Sequence, residues 1–396
     1  MKIKVLPEDF YVEEILGTPI SSKGPTGLYL LEKKGENTIE LLLEISKRLR
    51  LPFSNFGYGG RKDKHAFTRQ YITVQDNKKP VDIKEKNWSL THVGYLDRPM
   101  GPDLIDANRF SIVLRGVSDQ EADTAQREIP KIRDSGFANY FDDQRFGTFD
   151  KNQGFLAEKI LKKHFNGALK IYLTHLSSTD DKKAREEKGF FYENWGDWQR
   201  CLQKAVSQTA RSAFAHLAAK PKDFIPLLRK IPPHELTLHF SAYQGYLWNE
   251  TLRRFLAQNV QGPLTHKGLA GDYIFFDILE PALRADWLNL AIPTIASKMD
   301  ISDERTRKIA EMVLQENGLT TPMFNITKIR QAYFKSTQRK AVAVPEGLTE
   351  EASADDLYPG SKKMVLKFSL ARGSYATMLI KRIFAPKIID LSSDFR

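Results

Sequence analysis

The chain has 396 residues, of which 41% are hydrophobic and 28% are charged. This composition is typical of a globular protein and excludes an intrinsically disordered chain, and the length is sufficient for two or three domains. The formal net charge of +11 favours a polyanionic partner. A single cysteine excludes a disulfide framework and a cysteine-ligated zinc site, which is typical of a protein in a reducing cytosol.

The hydropathy pattern predicts no membrane segment. No window approaches 18 consecutive apolar residues, the length that a spanning helix requires. Residues 1–9 lack the apolar stretch of a signal peptide and have the character of folded sequence. We therefore expect a cytoplasmic protein.

The first 150 residues mix strand and helix patterns. Alternation of apolar and polar side chains predicts strands over 2–6, 28–31 and 71–75. Asn37 or Thr38 can cap a helix that ends before Pro52.

A strand over 108–115 follows, and its apolar face is formed by Phe110, Ile112 and Leu114. Ser118 and Glu121 have the spacing of a capping box and predict the start of a second helix. Pro130 is expected to kink or end that helix.

Helical patterns dominate after residue 150. The segments concerned are 154–164, 197–219, 241–258 and a helix that Ser302 caps and Gly318 ends. The aromatic side chains of 241–250 are expected to pack in the core, and the charged run 180–188 is expected to be solvated. Residues 345–360 are acidic and contain Pro and Gly, which favours a surface connection.

Strand character returns near the C-terminus, where Met364, Leu366, Phe368 and Leu370 alternate with polar residues. Gly373 and Ser374 then predict a cap for a helix over 375–380. This strand–turn–helix pattern is similar to the N-terminal region and unlike the middle. We infer an α+β protein in which both chain ends, 1–153 and 344–396, form one domain around an inserted helix-rich module, 154–343.

One acidic residue, Asp63, lies within a basic run, residues 60–70, which reads GRKDKHAFTRQ. Three cations within two positions should lower its pKa and keep it ionised. Glycines 57, 59 and 60 precede it and permit a tight backbone path. Such a carboxylate suits a nucleophile that acts on a nucleic acid, although this stretch alone favours a solvated turn in which the aspartate is a local ion-pair partner.

Two further clusters contain side chains that could bind a ligand. Residues 137–147 (FANYFDDQRFG) interleave amides, aromatic rings and an arginine, which can recognise an unstacked base or form an aromatic loop on the core. The carboxylates of Glu8, Asp9 and Glu13 match no metal-ligand spacing. The chain contains neither a phosphate-binding loop nor a dinucleotide fingerprint.

Taken together, seven segments resemble, in the same order, the motifs of the TruD family of tRNA pseudouridine synthases. They are 7–10 (PEDF), 32–33 with 37–38 (EK and NT), 60–70, 108–110 (NRF), 139–147, 241–244 (SAYQ) and 373–377 (GSYAT). The resemblance implies a pseudouridine synthase catalytic domain with a mixed, mostly antiparallel sheet. It also implies that residues 154–343 form the inserted α+β TRUD domain.

The resemblance further implies an enzyme that isomerises uridine-13 of tRNA to pseudouridine, with base flipping and without a metal or nucleotide cofactor. Asp63 matches the catalytic aspartate. Five residues match positions that bind substrate: Lys4, Phe10, Asn139, Phe141 and Tyr375. Tyr375 departs from relatives that carry phenylalanine, and residues 104–107 lack the basic, glycine-containing stretch expected before Asn108.

The sequence leaves several questions open. Asp63 can attack the sugar covalently or abstract a sugar proton. A non-catalytic RNA-binding protein or RNA chaperone on the same fold is the main alternative, and a metal-dependent nuclease that uses Glu8, Asp9 and Glu13 is another. A monomer is expected, since nothing in the sequence indicates an obligate dimer.

Overall fold

The computed structural model describes residues 1–75, 80–177 and 180–385. They form two compact units. Unit 1 contains Met1–Phe137 and Ala343–Phe384, and unit 2 contains Ala138–Val342 and, from the described part of the tail, Ala385. The predicted α+β class is confirmed. The division into functional domains at 153 and 344 stays a prediction, and the last residues of the second segment, 386–396, lie outside the described residues.

The secondary structure alternates in unit 1 and is mainly helical in unit 2. The strands are β1 Lys2–Ile3, β2 Phe10–Leu16, β3 Thr26–Lys34, β4 Phe56–Tyr58, β5 Phe67–Val74, β6 Ile83–Lys84, β7 Trp88–Leu96, β8 Ile105–Val117, β9 Phe137–Ala138, β10 Leu264–His266, β11 Tyr273–Phe275, β12 Ala291–Pro293, β13 Gln338–Lys340, β14 Val342–Ala343, β15 Glu346–Ala354 and β16 Lys362–Ala371. The helices are α1 Thr38–Leu49, α2 Asp119–Ser135, α3 Leu156–Leu161, α4 Phe165–Thr174, α5 Lys182–Glu193, α6 Trp198–Lys204, α7 Gln208–Ala219, α8 Ile225–Leu228, α9 Pro233–Asn259, α10 Pro281–Asn289, α11 Glu304–Glu316 and α12 Ala376–Ile383.

Unit 1 is built on one large sheet with the strand order β15-β16-β8-β2-β5-β3-β7-β6, to which β1 and β4 add at β8 and β5. The pair β2–β5 is parallel, and its register sets Tyr11 opposite Phe67 and Glu13 opposite Arg69. The neighbouring pairs β2–β8 and β3–β5 are antiparallel. The predicted mixed, mostly antiparallel sheet is therefore confirmed.

Helix α1 covers one face of this sheet. Asn37 is its N-cap and accepts hydrogen bonds from the backbone N–H groups of Ile39 and Glu40, so the predicted cap is confirmed. The helix buries its apolar face against β3, β5 and β7 in a cluster that includes Tyr29, Leu31, Leu41, Leu42, Ile45, Ile72 and Leu90. Burial of a large aliphatic side chain contributes about 1.5–3 kcal/mol, so this packing fixes the helix start near the loop that carries Asp63.

Three predictions in unit 1 are wrong at the level of single elements. The first strand ends at Ile3, because Lys4 adopts a left-handed conformation with φ of 58°. Helix α2 does not end at Pro130 but continues to Ser135, since losing one backbone hydrogen bond is offset by the fully buried Ile129 and Ile132; the alternative of a kink at Pro130 stays a prediction. Residues 345–360 are largely an edge strand, β15, which pairs with β16.

Several helix boundaries in the structure differ from the predicted ones. The cap of α11 is Asp303 rather than Ser302, and its carboxylate accepts a hydrogen bond from the Thr306 N–H at 2.9 Å. Tyr375 is the N-cap position of α12, one residue beyond the predicted cap. The predicted helix over 197–219 is two helices, because Ser207 caps a new one, α7.

Unit 2 is organised around the long helix α9, against which α3 and α11 pack. Tyr243 and Trp248 are fully buried, so the prediction that these aromatic side chains pack in the core is confirmed. None of the helices formed by the described residues combines the length and the apolar character that a membrane crossing requires.

Candidate active site

The parallel pairing of β2 with β5 determines where the candidate site forms. Parallel strands begin at the same edge of a sheet, so the segments that precede Phe10 and Phe67 meet there. Lys4 lies in the first segment and Asp63 in the second, and Lys4 Nζ forms an ion pair with Asp63 Oδ2. The same ammonium lies 4.4 Å from the centroid of the Phe10 ring. The structure thus brings together Lys4, Phe10 and Asp63, three of the predicted site residues.

The Asp63 carboxylate is held in its ionised form. Partial burial raises its pKa, but the hydrogen bonds from Lys4 and from the His65 backbone N–H outweigh that effect, and the net pKa lies below the ordinary value. The N–H of His65 donates to Asp63 Oδ1 at 2.9 Å. Both carboxylate oxygens accept a hydrogen bond, and the side chain is still 26% exposed.

A buried cation, Lys33, holds the loop that carries Asp63. Lys33 is fully buried at the end of β3, and its ammonium donates to the backbone carbonyls of Glu36 and Asp63, each at 2.9 Å. A longer contact of 3.5 Å reaches the carbonyl of Lys62. Burial lowers the pKa of Lys33 to about 8, although the charges of Asp63 and Glu36 oppose the shift. A lysine that binds backbone carbonyls fixes the path of the loop.

The first residue of α1 adds a second attachment. The Thr38 hydroxyl accepts a hydrogen bond from the Lys62 N–H at 3.1 Å, and it lies 3.2 Å from Gln70 Oε1. The Gln70 amide in turn donates to the carbonyl of Gly60 at 3.3 Å. Because Asn37 caps the helix, Thr38 is available to hold the loop.

Lys62 belongs to the basic run 60–70, but its side chain faces inward. Its ammonium forms an ion pair with Glu14 at 2.7 Å and donates to Asn108 Oδ1 at 3.0 Å. Glu14 is buried, which raises its pKa even though Lys62 acts in the opposite direction. Arg61, Lys64 and His65 are exposed. The cations around Asp63 therefore divide into internal supports and solvent-facing charges.

Two of the three glycines before Asp63, Gly57 and Gly59, are required by close packing rather than by a left-handed backbone, whereas a Cβ at Gly60 would meet no atom within 4 Å. A Cβ at Gly57 would fall 2.5 Å from Thr73 Oγ1, and one at Gly59 would fall 2.0 Å from Ile105 Cδ1. Cβ contacts that short essentially never occur. A side chain at Gly57 would also lie 2.7 Å from the backbone nitrogen of Met100 and would displace the backbone, whereas one at Gly59 would displace the Ile105 side chain.

The segment before Phe10 is fixed by a buried ion pair. Arg115 Nε donates to both carboxylate oxygens of Asp9 at 2.9 Å, and Asp9 Oδ2 accepts the Leu6 N–H at 2.8 Å. Glu13 is paired with Arg69 at 2.9 Å. Asp9 and Glu13, two of the proposed metal ligands, are thus neutralised by arginines, which gives no support to the nuclease alternative.

The other predicted substrate-binding residues occupy different positions. Tyr375 is half-buried at the start of α12 in unit 1. Asn139 and Phe141 belong to unit 2 and are buried. The Asn139 amide donates to the Lys340 carbonyl at 3.0 Å and its oxygen accepts from Arg339 Nη2 at 2.8 Å. With both polar atoms of its side chain used in this way, Asn139 is better placed to support this loop than to recognise a base.

Phe141 lies under the guanidinium that Asn139 binds. The Arg339 Cζ atom is 4.2 Å from the centroid of the Phe141 ring. Asn249 of α9 fixes the backbone of Phe141, because its oxygen accepts the Phe141 N–H at 2.9 Å and its amide donates to the Phe141 carbonyl at 2.8 Å. The segment 139–141 is therefore a rigid support for Arg339.

Comparison with known proteins identifies the family. The family model described as tRNA pseudouridine synthase D (TruD) matches residues 1–383. The chain belongs to the TruD family. It is 32% identical to "Probable tRNA pseudouridine synthase D 1" of Methanococcus maripaludis over 97% of this chain and 99% of that protein. It is 31% identical to tRNA pseudouridine synthase D of Leptospira interrogans serovar Lai, over 96% and 95% of the two chains.

The fold is also shared with a solved structure. A crystal structure of a Methanosarcina mazei protein assigned to tRNA pseudouridine synthase D (TruD) superimposes with a TM-score of 0.68. The two chains are 23% identical, and the match covers 96% of this chain and 93% of the other. The likeness supports the α+β fold of the TruD family for this chain.

Several supports of the candidate site were not predicted from the sequence. The Lys33 and Thr38 positions were noted only as parts of motifs, and their shared contact with the Asp63 loop requires the fold. Arg115 was not predicted, because a single arginine in a strand forms no motif that can be recognised in the sequence. The residues alone predicted an ionised Asp63 from its flanking cations, and the resemblance added Lys4 as a basic residue near it; the structure shows Lys4, 59 residues away in sequence, in contact with the carboxylate.

Proposed function

We propose that this TruD family chain isomerises uridine-13 of tRNA to pseudouridine, with Asp63 as the catalytic residue. The observation that carries the proposal is the ionised Asp63 carboxylate, held by Lys4 beside the Phe10 ring. The reaction breaks the N-glycosidic bond and rejoins the base through carbon. The product is an isomer of the substrate, so the reaction consumes no oxidant, reductant or water.

A carboxylate anion at this position serves both routes that remain open. In one route Asp63 attacks the anomeric carbon and the uracil anion leaves, and in the other it removes a proton from the sugar. Both routes need the ionised form, which the Lys4 ammonium and the His65 N–H stabilise. The partial exposure of Asp63 leaves it accessible to a sugar.

The target base must leave its stack, which costs a few kcal/mol. Stacking on an aromatic side chain contributes about 1–3 kcal/mol per base, and Phe10 and Tyr375 are proposed to supply it. We further propose that Phe141 and Asn139 act through Arg339, whose guanidinium they position. The net charge of +11 suits binding to the tRNA backbone. Cytoplasmic location and a monomeric state stay predictions.

A direct assay tests the proposed function. The purified chain is incubated with an unmodified tRNA transcript, and pseudouridine is mapped by carbodiimide labelling and primer extension. Modification at position 13, absent from a transcript that carries cytidine there, supports the proposal. Tight tRNA binding without any pseudouridine would instead favour the RNA-binding alternative, and modification at another position would contradict the assigned target.

Replacing Lys4 by methionine should shift the acidic limb of the pH–rate profile to higher pH. Lys4 is a principal cause of the low Asp63 pKa, so its removal leaves burial to raise that pKa. Because the carboxylate is the active form, activity of the variant should decline at a higher pH than activity of the wild type does on acidification. Single-turnover rates between pH 4.5 and 8 measure the effect.

Lys2→Met is the matched control, since Lys2 lies in the same segment but contacts the Tyr358 ring at 4.3 Å. It should retain the wild-type profile. Superimposable profiles for Lys4→Met and the wild type would remove Lys4 from the control of Asp63 ionisation.

A further inference from the structure

One segment of unit 2 has an unusual charge distribution. Between Glu316 and Glu346 the chain contains no acidic residue, although acidic residues otherwise number 49 in 396. The same stretch contains five cations: Lys328, Arg330, Lys335, Arg339 and Lys340. A local positive potential of this kind attracts a polyanion.

The central part of this stretch is rigidly anchored. Ile329, Ala332 and Phe334 are buried, and the Phe334 ring stacks on Phe240 of α9 with centroids 4.6 Å apart and planes 7° apart. The residues between these anchors face outward. Lys328, Arg330 and Lys335 are exposed, and so is Tyr333. The anchors therefore fix which side chains are presented to solvent.

Tyr333 is exposed to an extent unusual for an aromatic residue. Its side chain is 74% accessible, and the described residues give its hydroxyl no hydrogen-bond partner. None of the ion pairs among the described residues involves Lys328, Arg330 or Lys335. Arg229 adds a further cation, because its Nε donates to the Lys328 carbonyl at 2.8 Å. Lys328 Nζ lies 5.7 Å from the centroid of the Phe165 ring, and Arg330 Nε donates to the Thr327 carbonyl at 3.0 Å. An exposed aromatic ring with neighbouring cations outside ion pairs, on an anchored backbone, is typical of a surface that binds RNA.

We propose that residues 328–335 together with Arg229, here called the Tyr333 surface, bind an unpaired region of tRNA. Tyr333 stacks on an exposed base while Lys328, Arg330 and Lys335 contact the flanking phosphates. This inference rests on the proposed function for its choice of tRNA as the ligand. A lone exposed ring offers too little apolar area for insertion into a lipid surface, and base stacking explains the ring where an acidic protein partner would need only the cations.

Equilibrium binding of a tRNA transcript tests the proposal. Tyr333→Ala should raise Kd about tenfold, whereas Tyr333→Phe, which keeps the stacking face, should bind like the wild type. The double variant Lys328→Gln/Arg330→Gln should reduce the slope of log Kd against log salt by about 1–2, since up to two phosphate contacts are lost. Lys182→Gln, which removes a 91% exposed cation elsewhere in unit 2, should leave Kd and slope almost unchanged.

The outcomes separate this inference from the proposed function. Binding is measured without turnover, so an inactive wild type would leave the test intact. With an active wild type, kcat at saturating tRNA should be unchanged in Tyr333→Ala while KM rises. Wild-type tRNA affinity in Tyr333→Ala would overturn the proposal, and so would Tyr333-dependent binding to anionic lipid vesicles accompanied by unaltered tRNA binding.

Discussion

Replacing Asp63 by asparagine should lower kcat for pseudouridine formation by about 10³-fold or more. A loss of this size is expected when a general acid–base group is removed. The amide is nearly isosteric with the carboxylate and keeps an oxygen that can accept the His65 N–H. It has neither the charge nor the basicity that either chemical route requires. The affinity for tRNA should change little, because the net charge of +11 is spread over many cations. Single-turnover assays and binding titrations on the same preparation measure the two effects.

Asp103→Asn is a suitable control for this substitution. Asp103 lies in the same unit, is 57% exposed and is paired with Arg98, so it should affect neither kcat nor Kd. Comparable turnover by Asp63→Asn and the wild type would remove Asp63 as the catalytic residue. Loss of tRNA binding together with turnover would indicate that the loop had lost its structure.

Much of the local structure could be predicted because its causes are local. The cap of α1 at Asn37 and the capping box at Ser118 depend on residues within three positions. Likewise, the alternation from Met364 to Leu370 marks a strand with one buried face. Where a nearby competitor exists, as with Asp303 beside Ser302, the pattern predicts the helix but not its first residue.

The errors have a tertiary origin. Residues 345–360 look like a connection because they are acidic and contain Pro and Gly, yet they form the edge strand β15 by pairing with β16. An edge strand tolerates exposed charges, so its sequence lacks strict alternation. Similarly, Pro130 remains inside α2 because the buried side chains around it stabilise the helix more than the missing hydrogen bond destabilises it.

The candidate site likewise combines features that the local sequence predicts with features that only the fold determines. The resemblance of its motifs marked Asp63, Lys4 and Phe10, but the physical reason for their proximity is the parallel pairing of β2 and β5. That pairing joins segments almost 60 residues apart, and no local pattern reveals it. The inward orientation of Lys62 toward Glu14 is a further consequence of the fold, so a basic run in sequence overstates the charge that faces solvent.

Lys33→Met should lower kcat by roughly 10²-fold, the effect expected when a catalytic group is misplaced by about 1 Å. Methionine keeps the length of the buried stem but removes the donors to the carbonyls of Glu36 and Asp63. Those buried carbonyls lose their partner, so unfolding should also become easier by about 1–3 kcal/mol. The Kd for tRNA should be almost unchanged, because Lys33 is fully buried. Rate, melting and binding measurements on one preparation separate these effects.

The pH dependence distinguishes positioning from stability. The pKa of Lys33 is lowered to about 8, so the ammonium that holds the loop loses its proton as pH rises through 8, and kcat of the wild type should fall there. Stability has the opposite sign. Between about pH 8 and the ordinary lysine value of about 10.4 the unfolded chain binds more protons than the folded one, so this group makes folding more favourable as pH rises. A kcat that falls while stability does not is the signature of a positioning role.

Lys34→Met is the matched control, because Lys34 is the next residue of β3, is 45% exposed and pairs with Glu8 at the surface. It should keep the wild-type kcat and its decline above pH 8, whereas Lys33→Met should lack that decline. Thr38→Val provides an independent perturbation of the same loop, since it removes the acceptor of the Lys62 N–H. If Lys33→Met turned over tRNA at the wild-type rate, the loop would be held by its remaining contacts, and the buried ammonium would contribute to folding alone.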